Sequence, residues 1–81
     1  MWTLFEDTQS GGYPKTPHEV IAIEAPEAEA VRELERRWPG AFAYGEACEC
    51  CCADFRITVT DDEPGDAALK VRASEIPGSP A

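Results

Sequence analysis

Residues 19–38 have the sequence EVIAIEAPEAEAVRELERRW, in which a short apolar run is followed by a proline and a longer amphipathic segment. The run Glu19–Ala25 predicts a β-strand whose Ile21 and Ile23 side chains face the core. Pro26 suits the first turn of a helix, where its missing N–H is not needed. The stretch therefore predicts a strand that leads directly into a helix.

The helix is expected to run from Pro26 to Trp38. Glutamates near its start and arginines near its end complement the helix dipole, and Pro39-Gly40 ends it. The side chains predicted to face a sheet recur at helical spacing and are Ala28, Val31, Leu34 and Trp38. The solvated face is expected to consist of Arg32, Glu33, Glu35 and Arg36.

Three further segments predict strands, namely Trp2–Asp7, Phe55–Thr60 and Ala68–Ala73. Ala41–Tyr44 is a candidate for one more short strand. The acidic, Pro- and Gly-containing residues 61–66 predict a loop, and the strands on either side of it are expected to form a hairpin. The side chains expected to point inward from this hairpin are Phe55, Ile57, Val59, Leu69 and Val71.

The order β-β-α-β-β predicts an α+β fold, a small antiparallel sheet with one helix packed on one face. We place a single domain at residues 1–76 and a disordered tail at 77–81. The expected core is sufficient to cover one face of a sheet, but a sheet with helices on both faces would need more. Its members are Trp2, Leu4, Phe5, Val20, Ile21, Ile23, Val31, Leu34, Trp38, Phe42, Tyr44, Phe55, Ile57, Val59, Leu69 and Val71.

The formal net charge of −9 arises from 16 acidic and 7 basic residues. Binding to phosphate groups requires the opposite sign, so the composition argues against direct nucleic-acid binding. An acidic surface favours solubility, or the binding of a basic partner protein. The residues expected to contact such a partner are Glu46, Glu49, Asp61, Asp62 and Glu63.

The N-terminal residues lack the basic start and the long apolar stretch of a signal peptide. No apolar run approaches the length of a membrane span. We therefore expect a cytoplasmic protein without membrane association. In a reducing compartment, clustered cysteines indicate metal or redox chemistry more often than a structural disulfide.

All four cysteines lie in the run Ala47-Cys48-Glu49-Cys50-Cys51-Cys52-Ala53. Cys48 and Cys51 have the C-x₂-C spacing of a zinc-binding pair, but the chain has no second pair. A zinc site could combine two or three of the cysteines with His18, the only histidine, or a metal could bridge two chains of a homodimer. Reduced thiols, a metal site and disulfides all remain open.

No other pattern resembles a catalytic constellation. The carboxylates around the cysteines oppose thiolate formation, and nucleophilic catalysis by cysteine requires an oriented base. The short glycine-containing stretch Ser10-Gly11-Gly12 precedes no helix, so it is no phosphate-binding motif. The sequence therefore predicts a protein that is not an enzyme.

Five short motifs together carry a resemblance: Ser10-Gly11-Gly12, Ile23-Glu24-Ala25, Phe42–Tyr44, Cys48-Glu49-Cys50-Cys51 and Phe55. In this order they resemble a group of small uncharacterised proteins encoded by phages of actinobacteria. The resemblance covers roughly residues 1–55 and departs at Cys52-Ala53-Asp54, where the pattern has Gly-Asp-Arg and then tryptophan. It implies a phage origin and action in the host-cell cytoplasm.

These features predict a small acidic phage accessory protein that binds a host or defence protein without catalysis. The alternative is a small zinc-binding structural domain that is organised by the Cys48–Cys52 loop.

Overall fold

The computed structural model of the protein describes residues 1–7, 16–41 and 55–77. These form strands β1 (Trp2–Asp7) and β2 (Val20–Ile23), helix α1 (Glu27–Arg37), strands β3 (Phe55–Thr60) and β4 (Leu69–Val71), and a 3₁₀ turn at Ala73–Glu75. The predicted α+β class and the order of the main elements are confirmed. The expected strand residues 42–44, core residues Phe42 and Tyr44, and tail residues 78–81 lie outside the described residues.

The four strands form one mixed sheet in the order β3-β1-β2-β4. β1 is antiparallel to both of its neighbours, whereas β4 runs parallel to β2, with Ile23 beside Val71. The predictions of a purely antiparallel sheet and of a β3–β4 hairpin are therefore wrong. The physical reason is burial. Beside β2, Val71 belongs to the core under the helix. A strand paired with the outer side of β3 would leave this side chain outside that core.

The connection between β3 and β4 must span three strand spacings, about 14 Å, because the two strands form opposite edges of the sheet. Lys70 alternates with Val71 and so lies on the face opposite the helix. Glu63 and Asp66 of the connection both reach Lys70, with carboxylate oxygens 3.5 Å from its Nζ. The connection therefore crosses the sheet on the face that the helix leaves uncovered.

This crossing helps to explain the burial of Trp2, which is only 3% exposed. By strand alternation Trp2 lies opposite Thr3 and Phe5, away from the helix. The Arg72 guanidinium lies 5.5 Å from the centre of its ring. Trp2 is thus covered by a side chain that the β3–β4 connection holds in place through Glu63.

The main core lies between the sheet and α1. Phe5 and Phe55 pack edge to face with ring centres 6.0 Å apart. The partly buried Val31, Trp38, Leu69 and Ile76 pack against the core as a whole. The buried members of the core are Phe5, Ile21, Ile23, Ala25, Ala30, Leu34, Ala41, Phe55 and Val71.

Helix α1 begins and ends within one residue of the prediction, with Pro26 and Trp38 as its caps. Gly40 follows with φ 87°, a left-handed conformation that suits glycine, and Ala41 then returns to the core. The expected buried face was partly wrong. Ala28 is exposed, and Ala30 is buried with Leu34 one turn later.

The outer part of β3 also differs from expectation. Ile57 and Val59 are 36% and 44% exposed, although they share the helix-bearing face with Phe5 and Thr3. The alternation along β3 was correct, but β3 is an edge strand, and of its residues only Phe55 belongs to the core beneath α1. A strip of apolar side chains consequently faces solvent at this edge.

Candidate functional site

The acidic residues that follow β3 include three of the expected partner-binding positions. Asp61 and Asp62 are exposed, and we call this pair the acidic turn. The backbone N–H of Asp62 donates to the Thr60 hydroxyl at 3.2 Å, which fixes the turn where the strand ends. Both carboxylates are therefore displayed on an ordered local structure.

Glu63, the third position, has an intramolecular role. Its carboxylate accepts a hydrogen bond from Arg72 Nη1 at 2.5 Å and one from Lys70 Nζ at 3.5 Å. The bond from Arg72, followed by the charge of that guanidinium, lowers the pKa of Glu63. Glu63 therefore differs from the acidic turn, since its charge is already balanced by cations of the same chain.

The segment after β4 is joined to the sheet by further carboxylates. Glu75 accepts from the backbone N–H of Arg72 at 3.3 Å, and Glu24 accepts from the N–H of Ala73 at 3.1 Å. Glu24 follows β2, so this second bond ties the 3₁₀ turn to the centre of the sheet. The surface beside the acidic turn is thus built on a hydrogen-bonded frame.

A second cluster of charges lies on α1. The Glu33 carboxylate accepts from Arg36 Nε at 2.9 Å and Nη2 at 2.6 Å, and from Arg37 Nε at 2.5 Å. Its side chain is only 3% exposed, so the expectation that Glu33 lies on the solvated face is wrong. The hydrogen bond from Arg36 outweighs desolvation and, with the bond from Arg37, lowers the pKa of Glu33.

Sequence reasoning missed this cluster, although its spacing is visible. Glu33 precedes the two arginines by three and four residues, the separations at which helical side chains meet. Arg37 also donates to the backbone carbonyl of Glu75 at 3.4 Å. The cluster therefore links the end of α1 to the 3₁₀ turn.

His18, proposed from the sequence as a metal ligand, packs against the end of the helix. Its ring lies edge to face with Trp38, with centroids 5.9 Å apart. Its backbone is held by Thr16, whose hydroxyl donates to the His18 carbonyl at 2.8 Å and accepts from its N–H at 3.2 Å. The structure thus places His18 beside Trp38 at the end of the helix, and its role as a metal ligand stays a prediction.

The other metal candidates, Cys48, Cys50, Cys51 and Cys52, lie outside the described residues, as do Glu46 and Glu49. Within residues 1–7, 16–41 and 55–77, no three potential metal-ligating side chains are grouped closely enough to hold an ion. The zinc hypothesis therefore continues to depend on the sequence of the cysteine run.

None of the helices in the described part of the chain combines the length and apolarity needed to cross a membrane. Comparison of the chain with protein-family models, curated proteins and solved structures gives no significant match.

Proposed function

We propose that the protein is a small, non-enzymatic accessory protein that acts by binding a basic surface of another protein through its acidic turn. The observation that carries this proposal is the distribution of charge. The chain neutralises most of its own cations internally, whereas Asp61 and Asp62 form no ion pair with any described residue. These carboxylates are available to a partner.

Most of the described basic side chains form ion pairs within the chain. The described basic residues that form ion pairs are Arg36, Arg37, Lys70 and Arg72, and only Arg32 and Arg56 form none with described residues. Internal pairing thus leaves an excess of negative charge on the surface. Such a field accelerates encounter with a positively charged protein.

The resemblance to small phage proteins guides the choice of partner. A phage accessory protein would act in the cytoplasm of its host, and its target would be a host protein or a protein of a defence system. We include Glu46 and Glu49, which flank the first cysteine in the sequence, among the residues proposed to contact the partner.

The experiment is affinity capture of host proteins with the full chain, followed by kinetic measurements with the purified partner. We expect Asp61→Lys with Asp62→Lys to lower the association rate at least several-fold and to flatten its salt dependence. Glu63 stays unchanged, because its reversal would disrupt the bond to Arg72. The matched control is Glu19→Lys with Glu35→Lys, which makes the same charge change at exposed positions.

If the control pair lowers the association rate as much as the acidic-turn pair, the contact is not located at Asp61 and Asp62. An association rate that changes neither with salt concentration nor with either pair of substitutions would contradict electrostatic recognition of the partner.

The second candidate function, a zinc-binding structural domain, is favoured by the C-x₂-C spacing of Cys48 and Cys51. Under this hypothesis the protein purifies with stoichiometric zinc, and a chelator lowers its melting temperature as much as Cys48→Ser with Cys51→Ser does. Elemental analysis of protein purified without chelator is the direct test. A metal-free protein whose melting temperature ignores added zinc would eliminate this function.

A further inference from the structure

We propose that the outer edge of β3 pairs antiparallel with β3 of a second copy of this chain, which joins two four-stranded sheets into one. The proposed pairing does not require the proposed function, and it shares with the proposed partner surface only Asp62 at the end of the strand. It depends on the exposed apolar side chains of β3, on the pairing register that strand alternation permits, and on the asymmetry of charge along the strand.

The apolar contribution comes from Ile57 and Val59. Together with Met1, they are the exposed large hydrophobic side chains of the described residues. Both lie on an edge strand, and no described strand pairs with its outer side. An edge strand that exposes apolar side chains and lacks proline is a template for pairing with another strand.

Strand alternation restricts how two β3 strands can meet. Residues directly opposite each other must lie on the same face of the joined sheet, so the twofold axis has to pass through a residue pair. With Thr58 opposite Thr58 of the second copy, Ile57 lies opposite Val59, and Val59 lies opposite Ile57. In this register each exposed apolar side chain lies opposite a β-branched side chain of the second copy. Such cross-strand pairs stabilise a sheet.

Charge selects the antiparallel direction. Arg56 lies near the start of β3, forms no ion pair with any described residue, and has Glu6 as its neighbour on β1. The acidic turn lies just beyond the other end of the strand. In the register centred on Thr58, Arg56 lies opposite Thr60 of the second copy and diagonal to Asp62, within reach of a long side chain.

A parallel pair of β3 strands would instead place the two arginines side by side and the two acidic turns side by side. Antiparallel pairing forms the opposite-charge contact twice, once at each end of the interface. A second copy of the chain is therefore complementary to this edge in both its apolar pattern and its charge.

The first experiment is sedimentation of the full chain across a protein concentration range of about 10 µM to 1 mM, where weak complexes form. Reductant and chelator are present throughout, so that neither disulfides nor bridging metal can link the copies. We expect dimers whose fraction increases with concentration. Val59→Lys should keep the protein monomeric, since an edge lysine blocks strand pairing. Ala28→Lys, with the same charge change on the exposed side of α1, should dimerise like the parent.

A charge exchange tests the register. Arg56→Asp alone and Asp62→Arg alone should each raise the dimer dissociation constant by about threefold to tenfold, because each removes two opposite-charge contacts. The double variant restores both contacts with reversed polarity and should recover most of the affinity. Circular dichroism confirms that each variant is folded.

Monomers across the whole concentration range, or a Val59→Lys variant that dimerises like the parent, would overturn the proposal. A charge-exchange variant no tighter than its single variants would overturn the register centred on Thr58. The sedimentation of the Val59→Lys variant leaves the acidic turn intact, so its outcome is separate from the test of the acidic turn as a site for a different protein.

Discussion

At the scale of single residues, the position of Glu33 illustrates how a charged group becomes buried at low cost. Taking a carboxylate out of water is unfavourable unless hydrogen bonds replace its hydration. Here two guanidinium groups from the following turn of the same helix supply them. Because both arginines remain partly exposed, the cluster is screened by solvent, and its contribution to stability is smaller than that of a fully buried ion pair.

We expect Glu33→Ala to lower the free energy of unfolding by about 1–2 kcal/mol at neutral pH, because three charge-assisted hydrogen bonds are lost. Glu35→Ala is the matched control, an exposed glutamate on the same helix, and should change stability by less than about 0.5 kcal/mol. Denaturant titration measures both. Equal effects would show that Glu33 is no more important than a surface residue.

The same cluster predicts a pH dependence. Since the pKa of Glu33 is lower in the folded protein than its ordinary value of 4.5, its contribution is fully present above that value. It is lost as the pH falls from about 4.5 through the lower folded pKa. Glu33→Gln should therefore flatten the acid side of a plot of melting temperature against pH. An unchanged acid side would contradict the lowered pKa.

The Thr3 hydroxyl makes a buried hydrogen bond to the carbonyl of Ala25, at 2.9 Å, which ties β1 to the start of the helix. Thr3→Val keeps the shape but leaves this carbonyl without its donor, so we expect a loss of about 1–3 kcal/mol. Thr58→Val, on the exposed part of β3, should cost nothing or stabilise slightly. The comparison requires only thermal or denaturant unfolding of the two variants.

At the scale of elements, α1 is the best test of the predicted packing. Leu34 is fully buried against the sheet, and we expect Leu34→Ala to lower the free energy of unfolding by about 2–5 kcal/mol through lost contacts and a new cavity. Glu35→Ala again serves as the control on the neighbouring exposed position. A Leu34→Ala variant as stable as that control would exclude the placement of α1 across the sheet.

The sequence predicts an element correctly when the residues that determine it lie close together in the chain. The strand Trp2–Asp7 and the helix after Pro26 were correct because proline, alternation and helical spacing act over a few residues. The neighbour of β4 could not be inferred in this way. An acidic loop between two alternating strands looks the same whether they form a hairpin or cross the sheet. The choice between these two arrangements depends on which side chains fill the core under α1, and Val71 is one of them.

The candidate site likewise combines features that the local sequence predicts with features that depend on distant residues. Exposure of Asp61 and Asp62 was predictable from a loop rich in charge. The bond between Glu63 and Arg72 was not, because it depends on the connection crossing the second face of the sheet. The exposure of Ile57 and Val59 could not be predicted either. Alternation identifies the face on which a side chain lies but does not show whether another element covers that face.

At the scale of the whole molecule, the net charge of −9 leads to a prediction about salt. The ion pairs weaken when salt is added, but the excess of like charge repels itself across a small surface, and screening relieves that repulsion. The ion pairs involve mainly exposed groups, so we expect repulsion to dominate. The melting temperature should then rise by a few degrees between about 10 mM and 500 mM sodium chloride, as scanning calorimetry would show. A fall would mean that the ion pairs contribute more than the repulsion.

The place of β1 in the sheet also has a consequence for synthesis on the ribosome. Of the four described strands, β1 is made first, and it lies in the interior of the sheet between β2 and β3. Its pairing with β3 joins residues about 50 positions apart, from Asp7 with Phe55 to Trp2 with Thr60. At about 5–20 residues per second, the ribosome needs roughly 3–10 s after completing β1 to deliver that partner. During this interval the nascent chain carries an aromatic strand with one side unpaired, so the native sheet can close only after residue 60 has been made.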